Sequence, residues 1–175
     1  MKVYCRGGTK EQQRLAKDMA RYCAAKLMSK RLAETLKITI FFVPDMGDLE
    51  GDCGYEDDEN VRPKEYTIRV GNKSKKIITQ MRTICHEMVH VKQYAKGEMK
   101  ELWRPARHTR YQGKTYPPKM DYWDTPWEVE AFGREAGLYT RWVDDRGLTG
   151  NELFDNRHIP EKLSKNEKAY LGLKG

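Results

Sequence analysis

The sequence predicts a single α+β domain, with an N-terminal helix, a small mixed or antiparallel sheet and two further helices. Two long segments, 77–95 and 127–143, repeat apolar residues at the spacing of an amphipathic helix. Two short segments, 37–43 and 65–70, are instead rich in the β-branched and aromatic residues typical of strands. A chain of 175 residues is also long enough to bury one sizeable core.

Charge is unevenly distributed along the chain. The formal net charge is +7, yet residues 44–62 hold eight acidic residues and one arginine, so the remainder is strongly basic. A basic surface with interleaved tyrosine, tryptophan and arginine is compatible with nucleic-acid binding, and it is also typical of ordinary solvated faces. We expect the domain to occupy residues 1–145, with a charged C-terminal extension at 146–175 that contains a short helix after Ser164.

The cysteine pattern and the hydropathy indicate the compartment. No run approaches the roughly 20 apolar residues that a membrane crossing needs, and the first residues contain no apolar stretch typical of a secretory leader. The four cysteines are widely spaced and include no Cys-x-x-Cys pair, so we expect free thiols. These features predict a cytoplasmic, intracellular protein that makes no membrane contact.

The first half of the chain predicts one helix and two strands. Thr9 and Gln12 match a capping box, and the helical spacing of apolar residues that follows predicts one long helix over residues 10–34. Residues 37–43 are the strongest predicted strand. Residues 65–70 alternate polar and apolar side chains, as in a half-exposed strand. That strand is expected either to rim a cleft, where an extended peptide can pair with it, or to be an ordinary edge strand.

The segment 96–124 is long and rich in tyrosine, arginine and proline. Gln112-Gly113 predicts the turn of a small hairpin within it. Loops of this length in compact domains are usually functional, and the aromatic residues argue against disorder. We therefore expect this segment to cover a cleft. The helix that follows has Thr125 as its predicted cap and Pro126 at its first position, and it extends to about Val143.

The segment 77–95 carries the motif His-Glu-x-x-His at residues 86–90. Ser74 is placed to cap the start of this helix, and Gly97 is placed to end it in a left-handed turn. Two histidines four residues apart lie on the same helical face, so their rings can share one metal ion. Glu87 can reach a water molecule activated by that metal and act as the general base. The apolar residues occupy the opposite face, so one face is expected to pack and the other to line a cleft.

A catalytic zinc site needs a third protein ligand beside the two histidines. Three residues are candidates: Glu128, Glu130 and His108. Glu128 lies near the centre of the apolar face of its helix, where a carboxylate is costly unless a cation or hydrogen bonds compensate it. Glu130 is expected to point outward, and His108 lies in a basic loop. Glu128 is therefore the favoured ligand, with completion of a capping box with Thr125 as the alternative.

Taken together, the motif at residues 86–90 and the sequence Pro-Trp-Glu-Val-Glu-Ala at 126–131 resemble the zinc-dependent gluzincin metallopeptidases. In that clan a second helix contributes a glutamate, with alanine or aspartate one turn later. The arrangement is most similar to small single-domain metallopeptidases encoded by phages, near the SprT-like group, and it covers roughly residues 66–142. The resemblance implies a zincin-like fold, zinc held by His86, His90 and Glu128, and Glu87 as the general base.

The chain departs from this pattern at two positions. SprT-like proteins take their third ligand from a histidine followed by glycine, whereas His108 is followed by Thr109. A role in DNA repair is therefore not implied. Phe132 stands where the gluzincin pattern often has an aspartate, so the group that supports His86 from behind is left open.

We predict a zinc metallopeptidase that acts on polypeptides. Glu135, two turns after Glu128, is expected to form a salt bridge or to support a ligand from behind. One alternative is a nucleic-acid-associated protein whose zinc site is structural or degenerate, and another is a zinc hydrolase that acts on a non-peptide amide. A tyrosine is expected to stabilise the oxyanion of the reaction, and four are candidates: Tyr94, Tyr111, Tyr116 and Tyr122.

Overall fold

The protein is an α+β molecule, as predicted, and its described residues form a four-stranded sheet, a second three-stranded sheet and four α-helices. The computed structural model describes residues 1–56, 62–72, 76–102 and 108–155. None of the helices in these ranges combines the length and apolar composition needed to cross a bilayer. The elements in chain order are β1 (Lys2–Arg6), α1 (Lys10–Leu27), α2 (Lys30–Thr35), β2 (Lys37–Val43), β3 (Gly51–Tyr55), β4 (Glu65–Gly71), α3 (Ile77–Ala95), β5 (Met99–Leu102), β6 (His108–Tyr111), β7 (Lys114–Tyr116), a 3₁₀ turn (Tyr122–Asp124) and α4 (Pro126–Asp145).

The larger sheet has the strand order β1-β2-β4-β3. Strands β1, β2 and β4 are parallel, and β3 pairs with β4 in the antiparallel direction. The prediction of β4 as a rim or edge strand is therefore wrong, because β4 lies between β2 and β3. The strand at that edge is β3, which comes from the acidic segment. It lies so close to α3 that a Cβ added to Gly51 would be only 2.4 Å from Cγ2 of Thr83.

The predicted N-terminal helix is interrupted. Its capping box is confirmed, because the Thr9 side chain accepts from the backbone of Gln12 and the Gln12 side chain accepts from the Thr9 backbone. The helix ends at Leu27, however, because Met28 adopts an extended conformation and buries its side chain. Ser29 then caps α2 by accepting from the Leu32 backbone N–H. A second helix start thus lies inside the segment that apolar spacing alone predicted to be continuous.

Helix α3 is the central element of the core. Its residues Met81, Ile84, Cys85, Met88 and Val91 are fully buried, among α1, α4 and the sheet. The helix begins at Ile77 with Lys76 as its N-cap and no side-chain capping bond, whereas Ser74 lies outside the described residues.

The predicted end of α3 at Gly97 is confirmed. Gly97 has a φ of +71°, in the left-handed region. Its N–H donates to the Tyr94 carbonyl at 2.8 Å, and the Glu98 N–H donates to the Gln93 carbonyl at 2.8 Å. This pair of bonds is a Schellman motif, which satisfies carbonyls that the helix end would otherwise leave unpaired.

The hairpin predicted at Gln112-Gly113 is confirmed as the β6–β7 turn. Both residues have positive φ, +46° and +83°. This matches the type of two-residue turn that suits the twist of a hairpin. Strand β5, which was not predicted, completes the second sheet by pairing with β6. Met99, Glu101 and Thr109 of this sheet line a cavity beside α3, so the described part of the 96–124 segment does border a cleft.

Residues 146–155 pack onto α4. The Phe154 ring lies 6.1 Å from the Trp142 ring, the Tyr139 hydroxyl donates to the Phe154 carbonyl, and Asp155 is buried. The helix predicted after Ser164 lies outside the described residues. All four cysteines are free thiols, as predicted.

Candidate metal centre

Three buried side chains from two helices meet at one point. His86 and His90 from α3 and Glu128 from α4 each offer a ligand atom, and these atoms lie within 4.8 Å of one another. The Nε2 atoms of the two histidines are 3.2 Å apart. Oε2 of Glu128 is 3.1 Å from Nε2 of His86, and Oε1 of Glu128 is 3.4 Å from Nε2 of His90. This buried group could hold a metal ion.

The spacing of these atoms tests whether zinc would fit. In a tetrahedral site with Zn–N and Zn–O bonds of about 2.0–2.1 Å, neighbouring ligand atoms lie about 3.3 Å apart. The 3.2 Å between the two histidine nitrogens and the 3.1 Å between Nε2 of His86 and Oε2 of Glu128 match this edge length, whereas the 3.4 Å contact to His90 is made by the other carboxylate oxygen, Oε1. Two imidazoles and a carboxylate are also a donor set found in catalytic zinc sites. The residues present therefore fit a zinc ion in their chemistry, and the distances from His86 to His90 and to Glu128 agree with its spacing.

Helix geometry explains why these side chains converge. The spacing of four residues places His86 and His90 on one face of α3, one turn apart. Glu128 lies in the first turn of α4, which packs along α3. The alternative in which Glu128 completes a capping box with Thr125 is wrong, because no side-chain capping bond forms at this helix start. The Thr125 hydroxyl donates instead to the Tyr122 carbonyl at 2.7 Å.

The other two candidate ligands lie elsewhere. His108 begins β6 opposite Leu102 and is not part of the three-residue group. Glu130 does not point outward as predicted, since its carboxylate lies between α3 and α4. It accepts hydrogen bonds from Lys92 at 2.7 Å and Arg134 at 2.8 Å, which identifies a structural ion-pair network.

Gln93 supports His90, a role that the sequence reasoning missed. Oε1 of Gln93 lies 2.9 Å from Nδ1 of His90, and Nε2 of Gln93 donates to the Trp127 carbonyl and to Glu130, each at 3.0 Å. Because both of the latter partners only accept, the Gln93 oxygen must face the histidine, and Nδ1 of His90 must carry the proton. Nε2 is then the lone-pair nitrogen directed at the metal group. The i, i+3 spacing of His90 and Gln93 was the available signal.

Glu135 lies beside His86 on the side away from Glu128. Oε2 of Glu135 lies 3.5 Å from Nδ1 of His86, which is longer than a good hydrogen bond, and Nε of Arg82 donates to Oε1 at 2.8 Å. The Phe132 ring lies edge-on to the His86 ring with centroids 4.5 Å apart. Phe132 thus packs on the ring, while Glu135 lies behind it at the position expected for a supporting carboxylate.

The pKa values of Glu128 and Glu87 are shifted in opposite directions. Burial alone would raise the pKa of Glu128, but hydrogen bonds with His86 and His90 lower it to about 2. Burial would lower the pKa of His86, yet Glu128 and Glu135 raise it to about 9. Glu87 differs, because burial raises its pKa to about 7 against the opposing effect of the two histidines. A carboxylate poised near neutral pH can both accept and return a proton.

Glu87 lies under the edge strand. A Cβ on Gly51 would lie 3.2 Å from Oε1 of Glu87, 2.9 Å from the Arg69 carbonyl and 2.4 Å from Thr83. Real Cβ atoms are essentially never closer than 3.0 Å to such neighbours. Only glycine therefore lets β3 approach α3 this closely at Glu87.

The four candidate tyrosines occupy different places. The Tyr122 hydroxyl donates to Oε2 of Glu128 at 2.8 Å, so this residue is at the centre. Tyr94 lines the cavity that also contains His86, His90 and Glu128, and its hydroxyl lies 3.3 Å from Glu101. Tyr111 donates to Glu130 in the ion-pair network, and Tyr116 packs against the Trp127 ring.

Comparisons with known proteins add no relatives. The chain matches no protein-family model, and neither the curated proteins nor the solved structures include a significantly similar one.

Proposed function

We propose that this protein is a zinc metallopeptidase. The observation that carries the proposal is the buried group of His86, His90 and Glu128, whose ligand atoms converge on one point, beside a buried glutamate that can act as a base. A zinc ion held there would act as a Lewis acid on the scissile carbonyl and would acidify a water molecule. The gluzincin resemblance supports the same ligand set.

The chain supplies the remaining chemistry. Glu87 takes the proton of the attacking water and delivers it to the leaving amine, a role that suits its pKa of about 7. Tyr122, half-exposed and bonded to Glu128, is the best-placed donor to the developing oxyanion. Gln93 holds the His90 ring in orientation through Nδ1, and Glu135 is placed to do the same for His86 from 3.5 Å.

The cleft favours a peptide as the substrate. Strand β3 is the outer strand of its sheet on the side of Glu87, so an extended peptide can add to it through main-chain hydrogen bonds. Two cavities adjoin the metal group, and their described linings contain several acidic residues and neither lysine nor arginine. A polyanion such as nucleic acid would be repelled there. The nucleic-acid alternative therefore depends on the basic remainder of the chain, with its interleaved tyrosine, tryptophan and arginine residues, and not on these linings.

The proposal is tested by measuring bound metal and hydrolysis of a denatured protein in parallel. Wild type should bind one zinc ion and cleave. Glu87→Gln should retain zinc and lose activity by at least about a hundredfold, because general-base catalysis contributes about 10²–10⁴. Glu128→Ala should lose zinc, whereas Glu152→Gln, an exposed control, should match wild type. Full turnover by Glu87→Gln would overturn the mechanism, and zinc-loaded wild type that cleaves nothing would overturn the function.

A further inference from the structure

We propose that the cleft selects peptides by a bulky apolar side chain, which lies in a pocket walled by Leu49, Trp123 and Phe132 next to the metal group. This inference rests on the proposed peptidase function and names the substrate class of the same site. The pocket is a cavity of about 390 Å³, within the range of ordinary ligand sites. Its lining includes His86 and Glu87, so an occupant lies directly beside the reacting bond.

The first argument is the exposure of its walls. Trp123 is 67% exposed, Leu49 is 57% exposed and Phe132 is 39% exposed. Single exposed apolar residues need no explanation, but three large ones around one cavity form a patch that water solvates poorly. An aromatic or branched aliphatic side chain that covers these surfaces removes apolar area from water, which favours its binding.

The second argument is the rigidity of the walls. The Trp123 ring lies 5.0 Å from the Phe132 ring and 5.3 Å from the Tyr122 ring. Phe132 in turn packs on His86 at 4.5 Å, and Tyr122 donates to Glu128. The aromatic wall is thus tied to the two ligand-bearing helices. An apolar side chain seated on it is held in a defined position relative to the metal group.

The third argument is the contrast with the cavity on the other side of the metal group. That second cavity, of about 290 Å³, is lined by Asp52, Glu101 and Glu128 as well as by apolar residues. The apolar pocket also has acidic residues in its described lining, Asp48, Glu50, Glu87 and Glu135, which disfavour an acidic occupant. Its exposed lining surface is nevertheless mostly apolar, whereas that of the second cavity is polar and apolar in nearly equal parts. The first cavity is therefore the more apolar of the two subsites, and a large apolar side chain fits it.

The test begins with cleavage-site mapping by mass spectrometry on a denatured protein digested by zinc-loaded wild type. Large apolar residues should be enriched on one side of the cleaved bonds, and Asp and Glu should be depleted there. For matched peptides with Phe or Ala at that position, kcat/KM should differ by at least about tenfold, as expected for an apolar pocket.

Variants connect this preference to the pocket. Trp123→Ala and Phe132→Ala should each lower the Phe-to-Ala ratio of kcat/KM severalfold. Val129→Ala is the matched control, since Val129 is 56% exposed on the same helix and does not line the described part of the pocket. Its ratio should equal that of wild type. An active enzyme with no apolar preference, or with one that neither aromatic variant changes, would overturn the proposal.

A binding measurement separates this inference from the proposed function. Zinc-loaded Glu87→Gln is titrated with the same two labelled peptides, and fluorescence anisotropy reports binding without turnover. Tighter binding of the Phe peptide, lost in the Trp123→Ala double variant, supports the pocket even if wild type cleaves nothing. Equal binding of both peptides contradicts the proposed pocket, whether or not wild type hydrolyses them, and leaves the proposed peptidase function untouched.

Discussion

Replacing Gln93 by leucine should weaken zinc binding without touching a ligand. Gln93 is fully buried, and its oxygen lies 2.9 Å from Nδ1 of His90. When Nε2 of His90 binds a metal, Nδ1 must carry the proton, and in Gln93→Leu that N–H has lost its acceptor inside the protein. The metal-free ring avoids this cost by carrying its proton on Nε2, which faces Oε1 of Glu128 at 3.4 Å. The penalty therefore falls on the metal-bound state.

The size of the effect follows from the cost of a buried unpaired donor. That cost is about 1–3 kcal/mol, and because 1.4 kcal/mol corresponds to tenfold, the zinc dissociation constant should rise about 5- to 150-fold. The range agrees with the roughly 10–100-fold losses seen when groups behind a metal ligand are removed. Competition with a chromophoric chelator at constant pH measures the change directly.

The matched control is Gln80→Leu. Gln80 is also a buried glutamine of α3, but its partners are Gln12, Gly71 and Asn72, far along the helix from the histidines. It should lower the free energy of unfolding and leave zinc affinity at the wild-type value. If Gln93→Leu binds zinc as tightly as Gln80→Leu does, the reasoning about the His90 proton is wrong.

Two further predictions concern the edge strand and the ion-pair network. Gly51→Ala should lower the free energy of unfolding by about 1–3 kcal/mol, because the new Cβ would overlap Thr83, and it should reduce activity while zinc binding persists. Gly54→Ala is the control, since its Cβ would meet no described atom within 4 Å. It should show neither effect in urea titrations and activity assays. Burial would raise the pKa of Glu130, but hydrogen bonds from Lys92 and its neighbours lower it to about 2. Because the pKa is lowered, the stabilisation that the Glu130 carboxylate gives the fold is complete above pH 4.5 and is lost as pH falls toward 2. Wild type should therefore lose more stability than Glu130→Gln between about pH 6 and 3. Equal losses would contradict the network.

The metal group was largely predictable because its signals are local. His86 and His90 share a face through a fixed helical spacing, and Glu128 is conspicuous as a carboxylate on an apolar face. The sequence favoured a ligand over a cap at Glu128 but left both open, since both uses begin from the same residues. Packing of α4 along α3 decided it, as the Glu128 carboxylate faces the histidines.

The strands were less predictable from local sequence than the helices. Strands β2 and β4 follow from their composition, but β1 and β5 are short and carry charged residues, so their sequences differ little from those of loops. The strand order could not be inferred either, because hydrogen-bonding partners come from distant parts of the chain. Thus β4 is interior and the acidic segment supplies the edge strand.

The sequence by itself determined the α+β class, the helices that carry His86, His90 and Glu128, the Gln112-Gly113 hairpin and the residues that could hold a metal, because each depends on neighbours along the chain. Only the tertiary structure decided that Glu130 belongs to an ion-pair network, that Gln93 orients His90, and that Trp123 and Phe132 wall a pocket beside Glu87. Those roles depend on which helix faces lie against each other. That in turn is set by burial of the whole core around α3.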